Sequence, residues 1–228
     1  MIYFLIEKMS TLDPNYCVIG MLIDKSSSMN DMGVDKIKDG CNEFIHNQKL
    51  EDEKNSTRTG LFFGTFSSNY ELVHKNVDLA TFGEITEEEI FPDGLTALFD
   101  SLDTFIDNIG VELENMSVRP GKVVIFILTD GEENSSRRLR GHIGRDTLMN
   151  KIKHQEENYS WSFYYAGANQ DSIKVGGSLG IDMQTCVDFD FSGNGISSAM
   201  RTASKAISRE RCGNVSGFTQ EERETLTQ

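Results

Sequence analysis

Two continuously apolar runs, CVIGMLID at 17–24 and VVIFILTD at 123–130, each stop abruptly at an aspartate. A strand with one wet face alternates apolar and polar residues, whereas a strand covered by helices on both faces is apolar throughout. Both runs therefore read as central strands of a largely parallel sheet. From Cys17 to about Ile207, short apolar runs alternate with segments of helical period, which predicts an α/β, doubly wound sheet with helices on both faces.

The periodicities place the remaining elements. Val34, Ile37, Cys41, Phe44 and Ile45 form one stripe of a helix over 34–49, and Leu98, Leu102, Phe105, Ile106 and Ile109 form one over 96–114. Strands are expected at 59–66 and 69–79, joined by Ser67-Ser68-Asn69 as a hairpin, so one edge of the sheet is antiparallel. Further helices are expected at 146–159 and 195–208, with strands beginning at Trp161 and Cys186. Residues 15–208 thus read as one domain, flanked by tails at 1–14 and 209–228, the second acidic and mobile.

Charge narrows the function. Lys and Arg total 22 against 36 Asp and Glu, a formal net charge of −14, which repels phosphate backbones and anionic lipid. Nucleic acid and membrane are not the expected partners. Four cysteines lie far apart with no C-x-x-C pair, as buried free thiols in a reducing compartment do. The apolar run near the N-terminus is too short for a signal-peptide core, and no later run reaches the roughly 20 apolar residues of a membrane span. A cytoplasmic location is the expectation.

In a doubly wound sheet, ligands collect outside the carboxyl ends of the strands. Three polar elements fall there: Asp24-Lys25-Ser26-Ser27-Ser28, Gly94-Leu95-Thr96, and Thr129-Asp130-Gly131. Together they offer two carboxylates and three hydroxyls with no nearby His or Cys, a hard oxygen set suited to Mg²⁺ or Mn²⁺. Taken alone, Asp24, Ser26 and Ser28 serve equally well as caps of a following helix.

The D-x-S-x-S of Asp24, Ser26 and Ser28, the later G-x-T ending at Thr96, and the T-D-G around Asp130 resemble, in order and context, the metal-ion-dependent adhesion site of von Willebrand factor type A domains. The likeness covers about 17–207, and its wording is similar to the small stand-alone bacterial and phage members. The resemblance implies a Rossmann-like fold. It also implies that Ser26 and Ser28 are direct metal ligands, that Thr96 is direct or bridged by water, and that Asp24 and Asp130 act through water. An Asp or Glu of a protein partner then completes the coordination. Leu95 departs from the small residue common before the threonine.

Asn169 and Asp171 follow another strand end, where they either border this face or only shape a turn. A basic cluster, Arg137, Arg138 and Arg140, is a solvated loop or a steering patch. The competing reading is a metal-dependent hydrolase of phosphate or acyl substrates, for which Glu132 and Glu133 are the carboxylates nearest the motif. Gly176–Gly180 matches G-x-S-x-G, but all four histidines precede Ser178, the wrong order for that hydrolase fold.

Overall fold

The computed structural model describes residues 11–168, 171–214 and 216–226. Six strands form one sheet: β1 (Thr11–Asp24), β2 (Arg58–Phe66), β3 (Tyr70–Asp78), β4 (Val118–Thr129), β5 (Trp161–Gly167) and β6 (Cys186–Asp188). Their order is β3-β2-β1-β4-β5-β6. All neighbours are parallel except β2 and β3, which form the antiparallel edge. The helices are α1 (Val34–Asn55), α2 (Leu98–Asn115), α3 (Gly141–Tyr159), α4 (Ser172–Ser178), α5 (Gly193–Arg211) and α6 (Gln220–Leu226).

The pleat of β1 divides the core. Ile19, Met21 and Ile23 meet Ile37, Cys41 and Phe44 of α1 and Ile196, Ala199 and Met200 of α5 on one face. Val18 and Leu22 meet Leu102, Phe105 and Ile109 of α2 and Leu148 and Ile152 of α3 on the other. Gly20 lets α2 sit close to the sheet: a Cβ there would lie 2.8 Å from Ile125 Cδ1 and 3.0 Å from both Ile109 and Phe105. Each central strand is thus buried on both sides, which is why neither run alternates.

The strand order has a functional consequence. The chain leaves β1 toward β2 on one side, and later enters β4 on the other side of β1. The carboxyl ends of β1 and β4 therefore form the topological switch point, where a crevice opens between connections that run apart. Register brings Ile23 opposite Leu128, so Asp24 and the residues after Leu128 share that crevice.

The described parts of both expected tails belong to the fold. Thr11, Leu12 and Asp13 pair with Val118, Arg119 and Pro120 before an irregularity shifts the register at Cys17. At the other end, α5 continues to Arg211 and α6 packs back on the sheet, with Phe218 and Leu226 buried in the core. The acidic composition of 209–228 hid this docking, because two buried apolar residues and two arginines achieve it. Phe218 meets Tyr164 edge to face at 5.6 Å. Arg209 grips Glu222 with bonds of 2.6 and 2.8 Å. Arg223 donates to the carbonyls of Met183, Gln184 and Cys186.

The short helix α4 was not anticipated, and it settles the G-x-S-x-G match: Ser178 donates to Val175 O at 2.7 Å inside α4 instead of crowning a strand-to-helix elbow. Among the described residues, no helix is long and apolar enough to cross a membrane. All four cysteines are free, three of them buried. Burial raises the Cys17 thiol to about 11 and the Cys186 thiol to about 12, which keeps both protonated and inert.

If residues 216–226 are part of the folded core, Phe218→Ala will destabilise the protein by about 3 kcal/mol in urea unfolding, the usual cost of emptying a buried aromatic site. A change within about 0.5 kcal/mol, as for a surface substitution, would mean that this segment is not docked.

Candidate metal centre

The first element is the turn after β1. Asp24 is fully buried, and its carboxylate accepts from Ser26 N at 2.7 Å through Oδ1 and from Thr129 Oγ1 at 2.5 Å through Oδ2. The first bond folds Lys25–Ser26 back over the strand end and fixes where Ser26 stands. The Ser26 and Ser28 hydroxyls lie 3.3 Å apart, on the same side as the alternation predicts. A 3₁₀ turn follows at Ser27–Met32, but Ser26 makes no side-chain capping bond to it, and α1 begins only after Gly33. The capping explanation of this motif therefore fails.

The third element is the end of β4. Ser28 donates to Asp130 Oδ1 at 3.0 Å. Asp130 is 3 % exposed, and its Oδ2 is buried with no hydrogen-bond partner. Thr129, which sequence reasoning noted only as part of T-D-G, ties the two central strands together through Asp24 and accepts from Gly131 N at 3.2 Å.

The second element is a loop pinned on both sides. Ser27 N donates to Gly94 O at 3.1 Å, Asp93 N donates to Lys25 O at 2.8 Å, and Leu95 N donates to Ser68 Oγ at 2.9 Å. Gly94 adopts φ +68, a left-handed conformation that L side chains rarely take. Leu95 points outward at 57 % exposure, so its bulk does not disturb the loop. Thr96 is buried, and its Oγ1 lies 3.3 Å from where a Cβ on Gly131 would stand. Asp24, Ser26, Ser28 and Asp130 are thus linked by hydrogen bonds at the switch crevice, and Thr96 lies beside Gly131, the residue after Asp130.

The electrostatics of this cluster are unfavourable as it stands. Burial raises the Asp24 carboxyl from its ordinary 3.8 to about 7, against the pull of bonds from Thr129 and Ser26 and with the charge of Asp130 adding to it. Burial also raises Asp130. The nearest lysine in sequence, Lys25, is turned to Glu71 at 3.3 Å. Among the described residues no ion pair reaches either buried carboxylate, and no group of three or more His, Cys, Asp or Glu is placed to hold a metal. Two acids and three hydroxyls, with one carboxylate oxygen orphaned, are a donor set that fits a hard divalent cation and lacks the soft ligands of zinc. Here the cation would take the place of the missing counter-charge.

Of the two residues expected to border this face, Asp171 is exposed and caps α4, accepting from Lys174 N at 2.9 Å. Asn169 lies outside the described residues. Arg138 is turned to Asp103 at 2.8 Å rather than presented as a free basic patch.

No protein-family model matches the chain, and no curated protein matches it by sequence. Solved structures do. A von Willebrand factor type A protein from Catenulispora acidiphila superposes with a TM-score of 0.55 at 14 % identity, over 84 % of this chain and 42 % of that one. The vWF domain of the type V pili tip protein Mfa5 from Porphyromonas gingivalis gives 0.58 at 9 % identity, over 90 % and 98 %. The proximal thread matrix protein 1 of the mussel byssus, with a zinc-occupied MIDAS motif, gives 0.50 at 16 % identity, over 85 % and 46 %. This chain spans less than half the length of the first and the last of these. At such identities the likeness speaks for architecture alone, and on that evidence the chain has the fold of von Willebrand factor type A domains.

Proposed function

We propose that this protein is a metal-dependent interaction module that holds Mg²⁺, or Mn²⁺, at the cradle and captures a carboxylate from a protein partner. The observation that carries the reading is the buried, unpartnered Oδ2 of Asp130 beside the paired hydroxyls of Ser26 and Ser28, a polar arrangement that lacks its counter-charge. Ser26 and Ser28 would supply direct oxygens and Thr96 a direct or water-bridged one, with Asp24 and Asp130 holding the water around the ion. A bound cation supplies an electrophilic centre that neutral hydroxyls under-neutralise, so an incoming Asp or Glu makes a charge-assisted bond in a partly dry site. The resemblance of D-x-S-x-S, G-x-T and T-D-G to the adhesion site supports the same assignment. The four free cysteines support a cytoplasmic setting.

The hydrolase alternative needs a base beside the cation. Glu133 does not offer one: its two oxygens accept from Phe99 N, Ser135 N, Ser136 N and Ser136 Oγ at 2.7–3.0 Å. Steady turnover of a generic phosphate ester with Mg²⁺ or Mn²⁺, lost in Asp130→Ala, would restore the enzyme reading.

Titrating Mn²⁺ into chelator-treated protein tests the proposal, with calorimetry reading affinity and water-proton relaxation reading the open coordination position. The parent will bind one ion, and Asp24→Ala and Asp130→Ala will weaken it about 10–100-fold, the usual cost of losing a group that orients a metal's shell. Acetate, but not chloride at equal ionic strength, will then reduce the relaxation enhancement by displacing bound water. No uptake of metal by the parent would overturn the assignment.

Asp24 also sets a pH dependence. Without metal, its folded-state pKa of about 7 lies above the ordinary 3.8, so the folded form holds a proton that the unfolded form releases. That contribution to stability is complete below the ordinary value and is lost as pH rises through about 7, at about 1.4 kcal/mol for each tenfold change in proton affinity. Urea unfolding of chelated protein will show the decline, and Asp24→Asn will flatten it. With Mn²⁺ present, affinity will fall as pH drops below about 7, because protonating Asp24 removes the negative charge that holds the ion's water. A metal affinity that is flat from pH 8 to pH 5.5 would remove Asp24 from the site.

A further inference from the structure

The helix that follows Thr96 begins without a cap of its own. Ala97 stands at the N-cap of α2 and has no side chain to accept from the first-turn N–H groups, which would otherwise lack partners. The partners come from a distant segment. Glu133 Oε2 accepts from Phe99 N at 2.9 Å, and Ser136 Oγ accepts from Asp100 N at 3.0 Å. Asn134 Oδ1 accepts from Thr96 N at 2.9 Å, while Asn134 N and Ser135 N donate back to Thr96 O at 3.0 and 3.2 Å.

The exchange is reciprocal. Asp100, in the first turn of α2, accepts from Arg137 N, Arg138 N and Leu139 N at 2.7, 3.0 and 2.8 Å. Burial pulls its carboxyl up, but these three donors and the Arg138 charge outweigh it and hold it below the ordinary carboxylate range. One acid from the loop caps the helix, and one acid from the helix ties down the loop. Between them lie the bonds that Thr96 N and O make to Asn134 and Ser135, in the loop that follows Asp130.

We propose that Glu133 is a positioning residue for the metal cradle, locking Thr96 against Asp130 by capping α2 from the β4–α3 loop, with Asp100 as its counterpart. The proposal rests on the cradle holding a cation. Glu133 keeps away from the ion, and acts by removing the freedom of its second and third elements to move apart. The first element is secured otherwise, by Thr129 on Asp24 and Ser28 on Asp130. Without Glu133, Phe99 N–H and Ser136 N–H lose their acceptor, Ser135 N–H keeps only Thr96 O, and the Asn134 and Ser135 bonds that hold Thr96 come from a loop that has lost one of its ties to α2.

The test compares Mn²⁺ affinity in the parent, Glu133→Ala, Glu133→Gln and Ser192→Ala. Ser192 caps α5, accepting from Gly195 N at 3.0 Å, and its loss costs a cap elsewhere in the fold. Glu133→Ala is expected to weaken Mn²⁺ about tenfold or more, in the range of other groups that orient metal ligands. Ser192→Ala is expected to lower stability with affinity unchanged, and Glu133→Gln, which keeps one acceptor for Phe99 N–H, to fall between parent and alanine. Amide exchange in chelated protein will show faster exchange at Phe99, Ser135 and Ser136 in Glu133→Ala. Should the alanine variant fail to fold, Glu133→Gln alone decides. Affinity within twofold of the parent in the Glu133 variants, or an equal loss in Ser192→Ala, overturns the positioning role and leaves the cradle intact. Absence of Mn²⁺ binding in the parent instead overturns the cradle, and the positioning role with it.

Discussion

The bond from Thr129 Oγ1 to Asp24 Oδ2 joins the ends of the two central strands at the place where the chain's connections diverge. Its short length reflects a hydroxyl donating to a carboxylate from which water is excluded. Around it the molecule tolerates something costly, two acids buried within one hydrogen-bonded cluster. Buried charge of one sign is stable only if protonated or countered. The raised affinity of Asp24 for a proton supplies one outlet, and the cation proposed for the oxygen-lined crevice would supply the other.

How the crevice is assembled explains which parts of it sequence could reveal. Asp24, Ser26, Ser28 and Asp130 are legible because they interrupt apolar strands, and a polar residue at the end of a doubly buried strand stands out against its neighbours. Thr96 is legible through the glycine two residues before it, whose positive φ shapes the loop. The central place of β1 and β4 and the antiparallel β2–β3 edge follow the same logic, since doubly buried runs are central and a short hairpin connection joins antiparallel strands, whereas the full order β3-β2-β1-β4-β5-β6 comes from the structure.

What escaped is the set of contacts that cross long stretches of chain. Glu133 and Phe99 are far apart in sequence, and nothing in EENSS marks it as the cap of a helix that begins 35 residues earlier. The available signal was negative: a helix opening T-A-L-F with no Ser, Thr, Asp or Asn at its N-cap needs an acceptor from elsewhere. The C-terminal segment was misjudged for a related reason. Its charge pattern is that of a tail, and its attachment depends on Phe218, Leu226, Arg209 and Arg223 finding partners that local composition does not display.

That attachment bears on how the molecule behaves in company. β6 is only three residues long and lies at one margin of the sheet, where unpaired backbone groups would invite a strand from another chain. Arg223 covers the Cys186 carbonyl, and Asp190 N donates to Leu226 O at 3.1 Å, so the last helix shields this margin. The opposite margin, β3, is longer but carries Glu71 and Lys75, paired with Lys25 and Glu112. Pairing a foreign strand there would disturb those charges, so both borders of the sheet carry features that disfavour edge-to-edge stacking and leave the crevice, at the strand ends, as the open face.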